Sequence, residues 1–179
     1  MSDIATGNND SSSSGIQSLN EELVRKLGGD SFDRMWQSRS ATLVLLGHEQ
    51  SSVRAAALIC GNCRWRMSDE VEYVKACVAI ACSDDNLSTR RIAITQLAEC
   101  FFATHDAGIE QHLVRIVYDD GLPIVLRNHA YRALRRVAFG FEATIVEEAI
   151  AEGRSEMQGE TVCIAIDWDF IATLRSNPA

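Results

Sequence analysis

Proline is nearly missing from this chain, whose 179 residues include only Pro123 and Pro178. Because proline breaks helices, almost the whole length is free to be helical. Long apolar runs are missing as well. The longest, such as ATLVLLG at 41–47, fall far short of the roughly 20 residues that a membrane-spanning helix needs. We therefore expect helices and no membrane segment.

An excess of positive charge is also lacking. The chain has 17 Lys and Arg against 25 Asp and Glu, which gives a formal net charge of −8. Such a charge disfavours general binding to nucleic acid or to an anionic membrane. The content of 46% hydrophobic and 23% charged residues is otherwise that of an ordinary globular protein.

The opening residues, MSDIATGNNDSSSSG, have no apolar core of the kind that a secretory signal requires. We predict a disordered tail at 1–17 and a single helical-repeat domain at 18–176. The six cysteines lie among small apolar residues in helical stretches. We expect them to be reduced thiols, which predicts a cytoplasmic protein.

Helix signals recur along the chain in pairs. DEVEYVKACVAIAC is predicted to begin a helix at Asp69, with Glu72 completing a capping box, and a second helix is predicted from Ser88 to about residue 103. GIEQHLVRIVY predicts a third, and Pro123 opens a fourth at a position where proline fits. Acidic turns lie between the members of each pair.

The second helices of these pairs share one frame of residues: apolar, Arg, two free positions, Ala, two free positions, small, Leu. Its arginines are Arg54, Arg90 and Arg127, which lie 90 − 54 = 36 and 127 − 90 = 37 residues apart. A fixed period of this length with two helices per unit is the signature of an α-solenoid. The repeat also predicts that Ala130 is buried at a close helix crossing.

An acidic turn followed by V-R-x-x-A-x-x-A-L resembles a HEAT repeat, particularly its bacterial HEAT-like form. DDGLPIVLRNHAYRAL (119–134) and DDNLSTRRIAITQLA (84–98) carry the resemblance, and HEQSSVRAAALICG (48–61) carries it in its first half. The resemblance implies an all-α, right-handed α-solenoid of about four antiparallel helix pairs.

The last stretch, ETVCIAIDWDFIATL at 160–174, departs from this pattern because it lacks the arginine. Residues 161–166 could form a strand. We predict a capping helix instead, since a lone strand would have no partner elsewhere in the chain.

The resemblance implies a structural role for the repeated arginines. In HEAT-like proteins this arginine pairs with an acidic turn residue of a neighbouring unit. Here Arg54, Arg90 and Arg127 would pair with Asp84, Asp85, Asp119 or Asp120.

A second set of polar residues lies on the opposite side of these helices, away from the predicted core. By the resemblance, second helices line a concave surface. We therefore predict a non-enzymatic module that binds an acidic protein or peptide. Its predicted partner-binding residues are Arg91, Asn128, Arg132 and Arg135.

Enzymatic alternatives stay open, because HEAT-like repeats also occur in phycobilin lyases and in DNA glycosylases that use aspartate with tryptophan, as IDWDF (166–170) would offer. The two cysteines of CGNC at 60–63 have the spacing of a redox-active pair or of two of the four ligands of a zinc site. Cys77 and Cys82, or a histidine, would then be the other zinc ligands. We interpret CGNC as small core residues beside a helix stop at Gly61. The four histidines show no metal spacing and are expected at surface or turn positions. We assign no catalytic residue, metal site or cofactor.

Overall fold

The computed structural model describes residues 35–140, 149–158 and 161–176. The predicted tail at 1–17, and the predicted domain from residue 18 to residue 34, lie outside these ranges.

The described chain is mostly helical, as predicted, with one small antiparallel sheet. The helices are α1 (Arg39–Leu45), α2 (Ser51–Cys63), α3 (Val71–Ser83), α4 (Leu87–Cys100), α5 (Ala107–Tyr118), α6 (Ile124–Phe139) and α7 (Trp168–Ser176). A 3₁₀ turn, Met67–Asp69, precedes α3, and the strands are β1 (Ser155–Gln158) and β2 (Thr161–Ile164). In the described ranges, each helix is too short or too polar to cross a membrane.

Consecutive helices pack as the pairs α1–α2, α3–α4 and α5–α6. The second helices form one layer, in which α2 and α6 both pack against α4. The alanine of the repeated frame makes this close packing possible, because its short side chain lets the helices approach. Ala57, Ala93 and Ala130 are all 0% exposed, which confirms the predicted burial of Ala130.

Side-chain caps explain where several helices begin. The Asn86 side chain accepts a hydrogen bond from the Thr89 N–H at 3.0 Å, and Asp106 accepts one from Ile109 at 2.9 Å. Pro123 is the N-cap of α6. The predicted capping box at Asp69 is wrong, since Asp69 lies in the 3₁₀ turn and α3 starts without a side-chain cap.

The repeated arginines bind the helix ends together. Arg54 on α2 donates to both oxygens of Asp84, from Nε at 2.6 Å and from Nη2 at 2.9 Å, and thus joins the first pair to the turn of the second. This contact confirms the predicted role. Arg127 contacts Asp120 at 2.8 Å, but this turn belongs to its own pair. Within the described ranges Arg90 donates to the carbonyl of Ala81 at 2.9 Å rather than to a carboxylate.

Gly61 does not end a helix, because α2 continues to Cys63. The glycine instead provides space for a buried aromatic ring. A Cβ at this position would lie 2.2 Å from Cε2 of Tyr73, which is fully buried and donates its hydroxyl to the Leu58 carbonyl at 2.6 Å. The prediction of a helix stop at Gly61 is therefore wrong.

The capping helix predicted for 160–174 is wrong in its first part, because residues 161–164 form β2, and the helix α7 begins only at Trp168. The partner strand is β1, in an antiparallel register that runs from Ser155 opposite Ile164 to Gln158 opposite Thr161. The strand β2 packs on α6, and α7 follows it and packs on α5. The C-terminal segment therefore covers the last helix pair.

Candidate binding face on helices α4 and α6

Asn128 is buried, which contradicts the prediction that its side chain faces an open groove. It is 2% exposed and lies beneath β2. Its amide nitrogen donates to the Ile164 carbonyl at 2.6 Å, and its amide oxygen accepts from the Ile164 N–H at 3.1 Å. One side chain thus satisfies both outward-facing backbone groups of a strand residue. Asn128 attaches the hairpin to α6.

Arg135 is also engaged by the C-terminal segment. Its guanidinium carbon lies 5.0 Å from the ring centroids of both Phe139 and Phe170, an arrangement suited to cation–π attraction. Its Nε is buried and has no hydrogen-bond partner among the residues that the structure describes. Phe170 belongs to α7, so this arginine packs between two elements. The prediction that Arg135 projects into an open groove is therefore wrong.

The charges of the other two predicted residues, Arg91 on α4 and Arg132 on α6, both act on the ring of His129. Arg91 is exposed and Arg132 is half-buried. The His129 ring itself is half-buried between the two helices, with Nε2 2.9 Å from Oγ1 of Thr95. The expectation of a surface or turn position is wrong for this histidine.

A third arginine completes the group. Arg136, one turn after Arg132 on α6, forms an ion pair with Glu99 of α4 at 2.5 Å. We call Arg91, His129, Arg132 and Arg136 the His129 cluster. The heptad-like spacing 129, 132, 136 places three of its members on one stripe of α6 that faces α4.

The pKa of His129 reflects the burial of its ring and the charges around it. The pKa of His129 is lowered to about 4, first by burial of the ring and then by repulsion from the charges of Arg91, Arg132 and Arg136. The imidazole is therefore neutral at pH 7. Glu99 compensates the charge of Arg136. The guanidinium groups of Arg91 and Arg132 still raise the positive potential where α4 packs on α6, although the chain as a whole carries −8.

Protonation of His129 in acid should destabilise the fold. Because its pKa is depressed in the folded state, the unfolded chain binds more protons between about pH 6.5 and pH 4, so stability falls as the pH drops through this window. His129→Gln can still hydrogen-bond Thr95 but does not titrate. Between pH 7 and pH 4 we therefore expect the variant to lose about 2–3 kcal/mol less free energy of unfolding than wild type. Urea unfolding of both proteins at pH 7, 5.5 and 4 measures the difference. An equal decrease of the free energy of unfolding with pH in the two proteins would contradict the account.

In the described ranges no group of three or more His, Cys, Asp and Glu side chains is placed to hold a metal ion, and the cysteines are free. Burial raises the pKa of Cys77 to about 12, and burial also raises the pKa of both Cys60 and Cys63. These groups are protonated thiols at neutral pH. In IDWDF, Oδ1 of Asp167 accepts the Phe170 N–H at 2.9 Å and caps α7.

The comparisons with known proteins add no relative, since no family model, curated protein or solved structure matches this chain. The likeness to HEAT-like repeats rests on the residues quoted above.

Proposed function

We propose that this protein is a non-enzymatic binding module that holds an acidic protein or peptide on its α4–α6 face. We further propose that its helix pairs are stacked as a right-handed α-solenoid of the HEAT-like kind and that it acts in the cytoplasm, where its cysteines stay reduced. The charges of Arg91 and Arg132, which both act on His129 where α4 packs on α6, carry the proposal.

Charge distribution supports an acidic partner. A cluster of guanidinium groups attracts carboxylates and can bond them in bidentate geometry. The acidic remainder of the molecule repels polyanions in general, which favours a partner that presents its acidic groups at one place. This combination supports directed attraction to a protein or peptide rather than adhesion to nucleic acid.

Arg91 and Arg132 are the proposed contact residues of the cluster. Arg91 is exposed on α4, and within the described ranges its guanidinium makes no ion pair. Arg132 extends the positive surface along α6. Asn128 and Arg135 are not included in this contact set, because they hold β2 and α7.

Reversing the two contact charges should weaken binding strongly. We expect Arg91→Glu with Arg132→Glu to weaken binding of a fluorescein-labelled peptide of six consecutive glutamates at least about tenfold, because like charges then face each other. Fluorescence anisotropy at low and at moderate salt measures the affinity.

A matched control is Arg64→Glu with Arg66→Glu. Both arginines are exposed beyond the end of α2, and the change in net charge is the same. This variant should bind the peptide almost as wild type does. An equal loss in the two double variants would mean that overall charge alone attracts the peptide, and the proposed face would be wrong.

A further inference from the structure

A small apolar pocket lies beside Arg91, where the first turns of α4 and α6 meet. It has a volume of about 120 Å³. Of the described residues that line it, four are apolar, one is a serine, and Arg91 alone carries a charge. The lining residues are Leu87, Ser88, Arg91, Pro123, Val125 and Leu126. The α4–α6 face therefore has an apolar pocket next to one of the proposed contact residues.

Large apolar side chains are exposed around this pocket. Leu87, the first residue of α4, is 47% exposed, and Ile124, the first residue of α6, is 39% exposed. Leu126 is buried and belongs to the hydrophobic core, so the pocket extends from the surface to a core residue. Exposed apolar residues that are grouped in this way are typical of an interaction site.

The size of the pocket indicates what it can hold. Pockets for complete small molecules have volumes of roughly 300–1,000 Å³. A volume of about 120 Å³ lies below this range but is large enough for one aliphatic side chain. The pocket is therefore suited to a single side chain of a larger partner.

The two helix N-termini at the pocket favour an anionic ligand, because the N-terminus of a helix carries a partial positive charge. The Asn86 side chain caps α4. Among the residues that the structure describes, no side chain caps α6, which begins after Pro123. The first N–H groups of α6 can therefore bind a carboxylate at the pocket beside Arg91.

The acidic turns before α4 and α6 do not reverse this charge. In the turn before α4, the Arg54 guanidinium bonds the carboxylates of both aspartates. In the turn before α6, Asp120 forms an ion pair with Arg127 at 2.8 Å, and Asp119 lines a different pocket, between α5 and α7. Arg91 therefore sets the sign of the charge at the apolar pocket.

We propose that this pocket receives one aliphatic side chain, such as that of leucine, from the acidic segment that binds the α4–α6 face. The aliphatic side chain packs against Leu87 and Val125, while an adjacent carboxylate of the same segment binds the guanidinium of Arg91. This inference rests on the proposed function and specifies its partner further. The partner presents an aliphatic residue flanked by acidic residues, rather than an acidic run alone.

Three fluorescein-labelled peptides, EEELEEE, EEESEEE and SSSLSSS, test the proposal by fluorescence anisotropy on the full chain. The first two have the same charge, so the ratio of their affinities isolates the effect of the pocket. We expect EEELEEE to bind about fivefold more tightly than EEESEEE, because its leucine is removed from water. SSSLSSS should bind at least about tenfold more weakly than EEELEEE, since it lacks the carboxylates that bind Arg91.

Ser88→Leu places a leucine of the protein itself in the pocket and should reduce the preference for EEELEEE over EEESEEE to about onefold. Leu87→Ala removes part of the apolar wall and should reduce the preference to about twofold. The matched control is Gln111→Leu, which adds a leucine at an exposed position on α5 and leaves the net charge unchanged. It should keep the preference of wild type.

Equal affinity of wild type for EEELEEE and EEESEEE would overturn this proposal but leave the α4–α6 face as proposed. Failure of wild type to bind either of these peptides would overturn both proposals. Binding of SSSLSSS as tight as that of EEELEEE would indicate a general apolar surface and would also overturn this one. If circular dichroism shows that Ser88→Leu loses helix, the comparison of Leu87→Ala with Gln111→Leu decides the outcome.

Discussion

Arg54→Ala is expected to lower the free energy of unfolding by about 3–5 kcal/mol, because it leaves a buried carboxylate without its cation. The Arg54 and Asp84 side chains are only 13% and 2% exposed. The same arginine also donates to the carbonyls of His48 and Glu49, both at 2.7 Å, and these two hydrogen bonds are lost with it. Urea unfolding at pH 7 measures the change.

The pH dependence of this loss has a definite sign. Burial raises the pKa of Asp84, but the hydrogen bonds from Arg54 and from the Asn86 N–H outweigh burial and leave the pKa below its usual value. A carboxylate with a depressed folded pKa contributes stability above its unfolded pKa of about 3.9 and loses it as the pH falls through the folded value. The difference in free energy of unfolding between wild type and Arg54→Ala should therefore become smaller in strong acid.

Asp85→Ala is the matched control for this contact. Its carboxylate also bonds Arg54, at 2.9 Å, but is 89% exposed. A solvent-exposed ion pair contributes about 0–1 kcal/mol, so this variant should remain close to wild type. Similar losses for Arg54→Ala and Asp85→Ala would contradict the burial of the Arg54–Asp84 pair.

Gly61→Ala should cost about 2–3 kcal/mol, although alanine is the better helix former by about 1 kcal/mol. The added Cβ would meet the Tyr73 ring at 2.2 Å, and this ring has little freedom to move. It is fully buried, and its hydroxyl is fixed to the Leu58 carbonyl. Thermal and urea unfolding both report the loss.

Gly47→Ala serves as its control, because the nearest atom to a Cβ there is the Val44 carbonyl oxygen at 3.7 Å, an ordinary contact. We expect a change within about 0.5 kcal/mol. If Gly61→Ala were as stable as wild type, the close approach of α2 and α3 at Tyr73 would be wrong.

Much of the scaffold can be predicted from the sequence because its physical requirements are local and repeated. Each helix pair needs a small residue at the helix crossing, so Ala57, Ala93 and Ala130 recur at similar intervals and are all buried. The arginine beside each crossing recurs with them. The residue it contacts is less predictable, since Arg90 reaches a carbonyl while Arg54 reaches a carboxylate.

The candidate site was less predictable. The position of a residue in a helix predicts the direction in which its side chain leaves the helix, but not which other elements pack against that side chain. Asn128 and Arg135 do leave α6 on the side away from the core, but β2 and α7 cover that side. The hairpin itself escaped prediction because β1, SEMQ, is largely exposed and has no apolar alternation. The half-buried position of His129 could not be predicted from the sequence around it, since it depends on the packing of α4 against α6.

The most direct test of the α4–α6 binding face is an NMR pH titration of the His129 ring, with and without the glutamate peptide. We predict a pKa of about 4 in the free protein. It should rise in Arg91→Gln with Arg132→Gln, although burial keeps it below about 6.5. The bound carboxylates should also raise it, because they offset the arginine charges. A pKa near 6.5 that neither the variant nor the peptide changes would contradict both the arginine cluster and its proposed role.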